Sequence, residues 1–210
     1  MSKVIGLTGG IASGKSHVAA AFVRKNIPVV SADLLAREAV RPGTEGLLLV
    51  SRSFPDEILP DGTINRQLLG RKIFHDPKSR ALLEGILHPV IRQLFLLKKQ
   101  SLSGDYPVFV YEVPLLFESG ANKEVDLCVV VDVPESLQLS RLMERDGLSE
   151  KEALLRIKSQ MTRSERLELA DRVIEGNLSR ESLDAVIDDL IRDVLLTRDI
   201  PKPSSLSEGI

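Results

Sequence analysis

Along the chain, short runs in which nearly every position is apolar alternate with longer stretches in which apolar residues recur three or four positions apart. The runs are VIGL (4–7), PVVSA (28–32), VFVYEV (108–113), DLCVVVDV (126–133) and RVIE (172–175). Four of the five are almost unbroken, as strands buried on both faces of a parallel sheet would be. Helical spacing falls at about 15–25, 33–54 with a break at Pro42-Gly43, 65–103, 135–146, 149–169 and 179–197. Taken in turn, strands and helices predict an α/β fold: a doubly wound parallel sheet of about five strands with right-handed crossovers. The stretch 42–103 is too long for one crossover helix and holds no strand-like run, so it predicts a helical insertion able to hold a second substrate. The expected plan is a core of 1–41 with 104–134 and 170–198, the insertion at 42–103, a helical lid at 135–169 and a flexible tail at 199–210.

Composition narrows the partners. The chain of 210 residues can bury one sizeable core, and 28 Lys plus Arg against 30 Asp plus Glu give a net charge of −2. That balance argues against a general polyanion binder, so phosphate recognition has to be local and nucleic acid is not an expected partner. The single cysteine, Cys128, lies in an apolar run and excludes an internal disulfide. No signal-type stretch and no run of about eighteen apolar residues occurs, so the expectation is a cytoplasmic protein without a membrane partner, monomeric or weakly self-associating.

One stretch carries strong chemistry. In MSKVIGLTGGIASGKSHV the spacing of Gly9, Gly14, Lys15 and Ser16 fits G-x-x-x-x-G-K-[ST], behind a strand-like run and ahead of a helical one, where Val18 and Phe22 stand four apart. A glycine turn offers converging backbone N–H groups to phosphate oxygens, and the helix beginning near Gly14 adds its positive end. Lys15 can reach the outer phosphates of a triphosphate, and the Ser16 hydroxyl can ligate Mg²⁺ bridging them.

The residue receiving the phosphate is marked less directly. Asp33 ends VVSAD, beyond a strand's carboxyl end, where ligands of open α/β sheets lie. It fits a base for an attacking hydroxyl, a Mg²⁺ ligand, or simply an N-cap for the helix that follows. Arg141 and Arg145 stand four apart, with Arg156 and Arg163 across a turn at Asp146-Gly147. Ser149 with Glu152 reads as a capping box, and Thr162 with Glu165 as another. Such a hairpin suits a mobile lid over transferring phosphates, the alternative being a solvated pair laced by salt bridges. Glu112 fits either a metal-water contact or an ion-pair partner for Lys15 when ATP is absent.

LTGGIASGKS, VSADLLAREAVRPG, ILHPVIR, VPLLFESG, RLMERDGLSEKEALLRIKSQM and ADRVIEGN occur in the order and spacing of dephospho-coenzyme A kinases, which this chain resembles from about residue 3 to about 195. The resemblance implies a P-loop NTPase-type sheet with a helical substrate-binding insertion and lid. It implies ATP-dependent phosphorylation, with Mg²⁺, of the ribose 3′-hydroxyl of dephospho-coenzyme A. Carried over residue by residue, it makes Lys15, Asp33 and Arg141 catalytic. The ATP loop becomes Gly9, Gly10, Ile11, Ala12, Ser13, Gly14, Lys15, Ser16 and His17, with Ser16 on the metal and Asn177 near the adenine. The acceptor falls to Asp33, His88, Leu115, Glu118 and Arg145.

The chain departs from the family pattern in three places. Ala12 stands where many members have a third glycine, His17 replaces the commoner threonine, and Gly176 intervenes before Asn177 in ADRVIEGN. His88 before Pro89 also fits a simple helix boundary, and Glu118 a turn cap. Two other functions fit the glycine loop: a P-loop kinase for a nucleoside or nucleotide, and a nucleotide-driven switch ATPase. The HP pair and the PLLFE stretch argue against the nucleoside or nucleotide kinase, and Asp33 and the large insertion fit an acceptor site better than a switch.

Overall fold

A computed structural model describes residues 2–196; the expected tail at 199–210 lies outside them. Five strands are described: β1 (Lys3–Gly9), β2 (Val29–Ser31), β3 (Val108–Glu112), β4 (Leu127–Asp132) and β5 (Arg172–Glu175). They form one sheet in the order β2-β3-β1-β4-β5, with parallel pairing of β1 to β3, β1 to β4 and β4 to β5. The central strands β1 and β4 are the most continuously apolar in the sequence, and they are buried accordingly. From β1 the chain goes outward to β2, returns through β3, then crosses to β4 and β5 on the other side. Residue 9 therefore leaves the sheet where the winding reverses, the place at which open α/β sheets bind ligands.

The described helices are α1 (Lys15–Arg24), α2 (Ala32–Ala39), α3 (Glu45–Ser53), α4 (Arg66–His75), α5 (Pro77–Leu102), α6 (Glu135–Asp146), α7 (Glu150–Lys158), α8 (Arg163–Glu168) and α9 (Arg180–Leu196). On one face of the sheet, Val18 and Phe22 of α1 and Leu183, Ile187, Leu190 and Val194 of α9 pack against Ile5, Leu7, Val129 and Val131. The α9 residues recur at three and four positions, the period that lays one stripe of a helix on a sheet.

The chain divides into two compact units. One holds the chain up to Val30 and from Leu102 onward; the other, Ser31–Ser101, is helical and includes α2 with Asp33. The helical unit has its own core of Val50, Phe54, Leu69 and Leu83. It also buries Glu57, whose Oε1 meets Lys72 Nζ at 2.8 Å. Its single bridge, Ile58 with Ile64, is the only extended pairing among its residues.

One helical stretch differs from expectation, and another divides at the second capping box read from the sequence. The 65–103 stretch is two helices, because Asp76 precedes Pro77 and is pushed out of the helical region, at φ −121° and ψ 103°. Asp76 then caps α5, accepting from the Ser79 hydroxyl at 2.6 Å and from the Lys78 N–H at 3.0 Å. By contrast Pro89 lies inside α5 without ending it, so His88 marks no helix boundary. The 149–169 stretch is α7 and α8, each opened by a complete capping box, Ser149 with Glu152 and Thr162 with Glu165.

Candidate active site

The turn from β1 into α1 is shaped by close approaches. Gly14 caps α1 at φ 94°, and a Cβ on it would come within 2.7 Å of the Gly176 carbonyl oxygen. Ala12 is also left-handed, at φ 59°, so the methyl group that replaces a glycine there is carried in a conformation unfavourable to it. Ser13 is buried beneath the turn, with its N–H bonded to the Gly10 carbonyl at 3.1 Å. The amides of Lys15 and Ser16 lie in the first helical turn, where no carbonyl stands four residues back to receive them. Ser16 and His17 are exposed. The result is a concave run of donors at a helix's positive end, suited to phosphate oxygens.

Two charged groups flank it. Lys15 Nζ meets Oε1 of Glu112, the last residue of β3, at 2.6 Å. Arg141, on α6, spans two backbone segments: Nη1 donates to the Ala12 carbonyl at 3.4 Å and to that of Gly176 at 3.3 Å. Gly176 follows β5, and a Cβ there would overlap the Ser13 carbonyl, so only a glycine lets the turn after β5 lie against the loop. Arg141 is thus poised at the loop, whereas Arg145 is not brought to it. Arg145 is exposed and pairs with Asp146, Nε to Oδ1 at 2.8 Å, and Asp146 also receives Arg156. The hydrogen bond that Arg145 donates to Asp146 raises the Arg145 pKa, and the same bond holds the Asp146 carboxyl below its usual range.

The remaining expected residues are placed as follows. Thr8, buried at the end of β1, donates its hydroxyl to the Pro114 carbonyl at 3.1 Å and so ties the PLLFE stretch to the loop's base. Within that stretch Leu116 is fully buried while Leu115 is 41 % exposed, free to meet a ligand. Glu118 Oε1 accepts from the Met161 N–H at 3.2 Å, fastening the segment after β3 to the connector before α8. Asn177 is exposed in the turn after β5. In the helical unit, Asp33 is exposed as the second residue of α2, and His88 is exposed midway along α5. Asp33 is not the helix cap, since Ser31 occupies that position.

Three groups packed around the loop and the start of α8 escaped sequence reasoning. Gln160 accepts the Ile11 N–H at 2.8 Å; Arg166 is buried; and Asp132, the end of β4, holds Arg163 through both carboxylate oxygens, at 2.9 and 2.6 Å. The hydrogen bonds that Arg163 donates to Asp132 raise the Arg163 pKa. The only signal for any of them is the position of Gln160 between α7 and the second capping box.

Residues 3–182 match the family model for dephospho-CoA kinase. The chain is 45 % identical over 194 residues to the dephospho-CoA kinase of Oceanobacillus iheyensis, covering 91 % of this chain and 98 % of that one. Among solved structures it resembles TT1252 from Thermus thermophilus, with a TM-score of 0.81 and 33 % identity over 93 % of this chain and 98 % of that one. It also resembles the dephospho-CoA kinase from Campylobacter jejuni, with a TM-score of 0.70 and 29 % identity over 92 % and 98 %.

Proposed function

Because the chain belongs to the dephospho-coenzyme A kinase family, we infer that it transfers the γ-phosphoryl group of ATP to the ribose 3′-hydroxyl of dephospho-coenzyme A, giving coenzyme A. The observation that carries the reading is the donor-lined turn of residues 9–16 with Lys15 and Arg141 converging on it, in a chain with a separate helical unit for an acceptor.

In this reading the loop amides and Lys15 bind the triphosphate. Lys15 exchanges Glu112 for phosphate oxygens when ATP enters, and Arg141, anchored by two carbonyls, adds charge where it grows in the transition state. Asp33 takes the proton of the attacking hydroxyl. His88, Leu115 and Glu118 meet the acceptor, Arg145 adds charge at the tip of α6, and Asn177 meets the adenine. Mg²⁺ fits the donor set, since it needs only one or two protein oxygens beside phosphates and water, and the exposed Ser16 hydroxyl supplies one at the loop. When bound it would neutralise phosphate charge. No described helix is long and apolar enough to cross a membrane, and the reading places the enzyme in the cytoplasm, as a monomer or weak oligomer that does not bind nucleic acid.

A phosphoryl-transfer assay over dephospho-coenzyme A, nucleosides and nucleotides tests this. Transfer to dephospho-coenzyme A alone is expected. Preferred transfer to a nucleoside or nucleotide would replace the reading, and ADP release indifferent to every acceptor would point to a switch ATPase.

A further inference from the structure

The underside of the loop is braced by the connector between α7 and α8. Ile11 donates its N–H to Gln160 Oε1 at 2.8 Å, a contact that joins residues 149 apart. Gln160 lies where the backbone has left one helix and not yet entered the next. Its neighbour Met161 is held from both sides: its N–H donates to Glu118 at 3.2 Å, and its carbonyl accepts from Arg166 Nη2 at 2.6 Å.

Arg166 is 5 % exposed, an uncommon burial for a guanidinium. Burial lowers its pKa, while the charges of Glu118 and Asp132 oppose that effect and keep the cation in place. A Cβ on Gly10 would come to 3.0 Å from Arg166 Nη1 and would overlap the Gln138 amide, so the glycine backbone is seated directly against these side chains. The forked pair of Arg163 with Asp132 fixes the start of α8, from which Arg166 projects. A buried cation spent on one backbone carbonyl beside a ligand-binding turn is more than an ordinary surface tie.

We propose that Gln160 and Arg166 are positioning residues of the ATP phosphate site. Arg166 fixes Met161, Met161 fixes Gln160, and Gln160 fixes the Ile11 amide and with it the curvature of residues 10–13. A donor array held in place before its ligand arrives loses less freedom on binding. The proposal rests on residues 9–16 being the ATP loop and is independent of which acceptor is used.

Gln160→Leu keeps the bulk and removes the acceptor. ATP binding to the full chain, measured by calorimetry, is expected to weaken about tenfold, the cost of one unmet N–H at about 1.4 kcal/mol. Arg166→Lys keeps the charge but loses the planar fork, and is expected to reproduce the weakened binding. The double variant is expected to bind no worse than the weaker single, because both act through one linkage. Parental ATP affinity in Gln160→Leu, even with a lowered melting temperature, overturns the proposal, and so do additive losses in the double variant. If Arg166→Lys does not fold, the Gln160→Leu affinity decides alone. A parent chain that binds no ATP overturns the reading of the loop and this proposal together, whereas a different preferred acceptor leaves both intact.

Discussion

Lys15 and Glu112 face each other at 2.6 Å with side chains only 14 % and 15 % exposed, so neither charge is free to rest in water. Removing one strands the other. Lys15→Ala is therefore expected to abolish most turnover and also to destabilise the apo protein by about 1–3 kcal/mol, seen as a lowered melting temperature. Adding Glu112→Gln should restore much of the stability and none of the activity. Equal melting temperatures of parent and Lys15→Ala would mean the pair is held too loosely to matter. Asp33 makes a cleaner test of the acceptor chemistry, because Ser31 and not Asp33 stands at the N-cap of α2 and Asp33 is exposed. Asp33→Asn should leave stability and ATP affinity nearly unchanged while lowering kcat by about 10² to 10⁴. A kcat close to that of the parent would remove Asp33 from catalysis. Lys15 and Asp33 stand out in the sequence as candidates because each carries a positional signal, a motif or the end of a strand. Arg166 could not, since its neighbours in RSERLELA are those of a solvated helix and only packing reveals that this arginine is the buried one.

Helix ends carry much of the organisation around the loop. In the capping box of α8, the Thr162 hydroxyl and N–H both bond Glu165, and these hydrogen bonds hold its carboxyl below the usual glutamate value. A depressed folded pKa contributes stability that is present above the unfolded value and lost as pH falls through the folded one. Glu165→Gln keeps a box-forming side chain without the charge. Its melting temperature is expected to be slightly lower at neutral pH and to fall less steeply than the parent's below about pH 4.3. Parallel profiles would assign the acid sensitivity to other carboxylates. Both boxes were legible as S-x-x-E and T-x-x-E, but the Asp76-Pro77 break was obscured by helical periodicity running through both sides of it. The turn after β5 depends on contact rather than on a cap. Gly176→Ala would press a methyl group into the Ser13 carbonyl, and is expected to cost about 1–3 kcal/mol and to weaken ATP binding. Unchanged stability would show that the turn can withdraw from the loop freely.

At the scale of the whole chain, the apolar runs located β1, β3 and β4 because a strand buried on both faces leaves little room for polar residues, whereas β5, RVIE, is an edge strand in which only Ile174 is buried. The strand order was not written there, since a crossover of either reach suits the same pattern. Cys128 reports on how well the sheet is closed. Burial, aided by the nearby Asp171 charge, pushes its thiol up to about 12, and the thiolate is the reactive form. Labelling by an aromatic disulfide reagent at about pH 8 should proceed only as fast as the sheet opens, and accelerate with denaturant. Immediate stoichiometric reaction in native buffer would mean that β4 is not sealed. The sheet order also has a consequence for biosynthesis. Val4 bonds the side chain of Asp126, 122 residues away, and Gly9 pairs in register with Val131. The strand that leads into the glycine-rich loop thus leaves the ribosome long before either of its neighbours, while the helical unit of 31–101 emerges whole in the interval. The nascent chain carries an apolar β1, KVIGLTG, without either of its neighbouring strands throughout that time, which is the interval in which this stretch is exposed to misassociation.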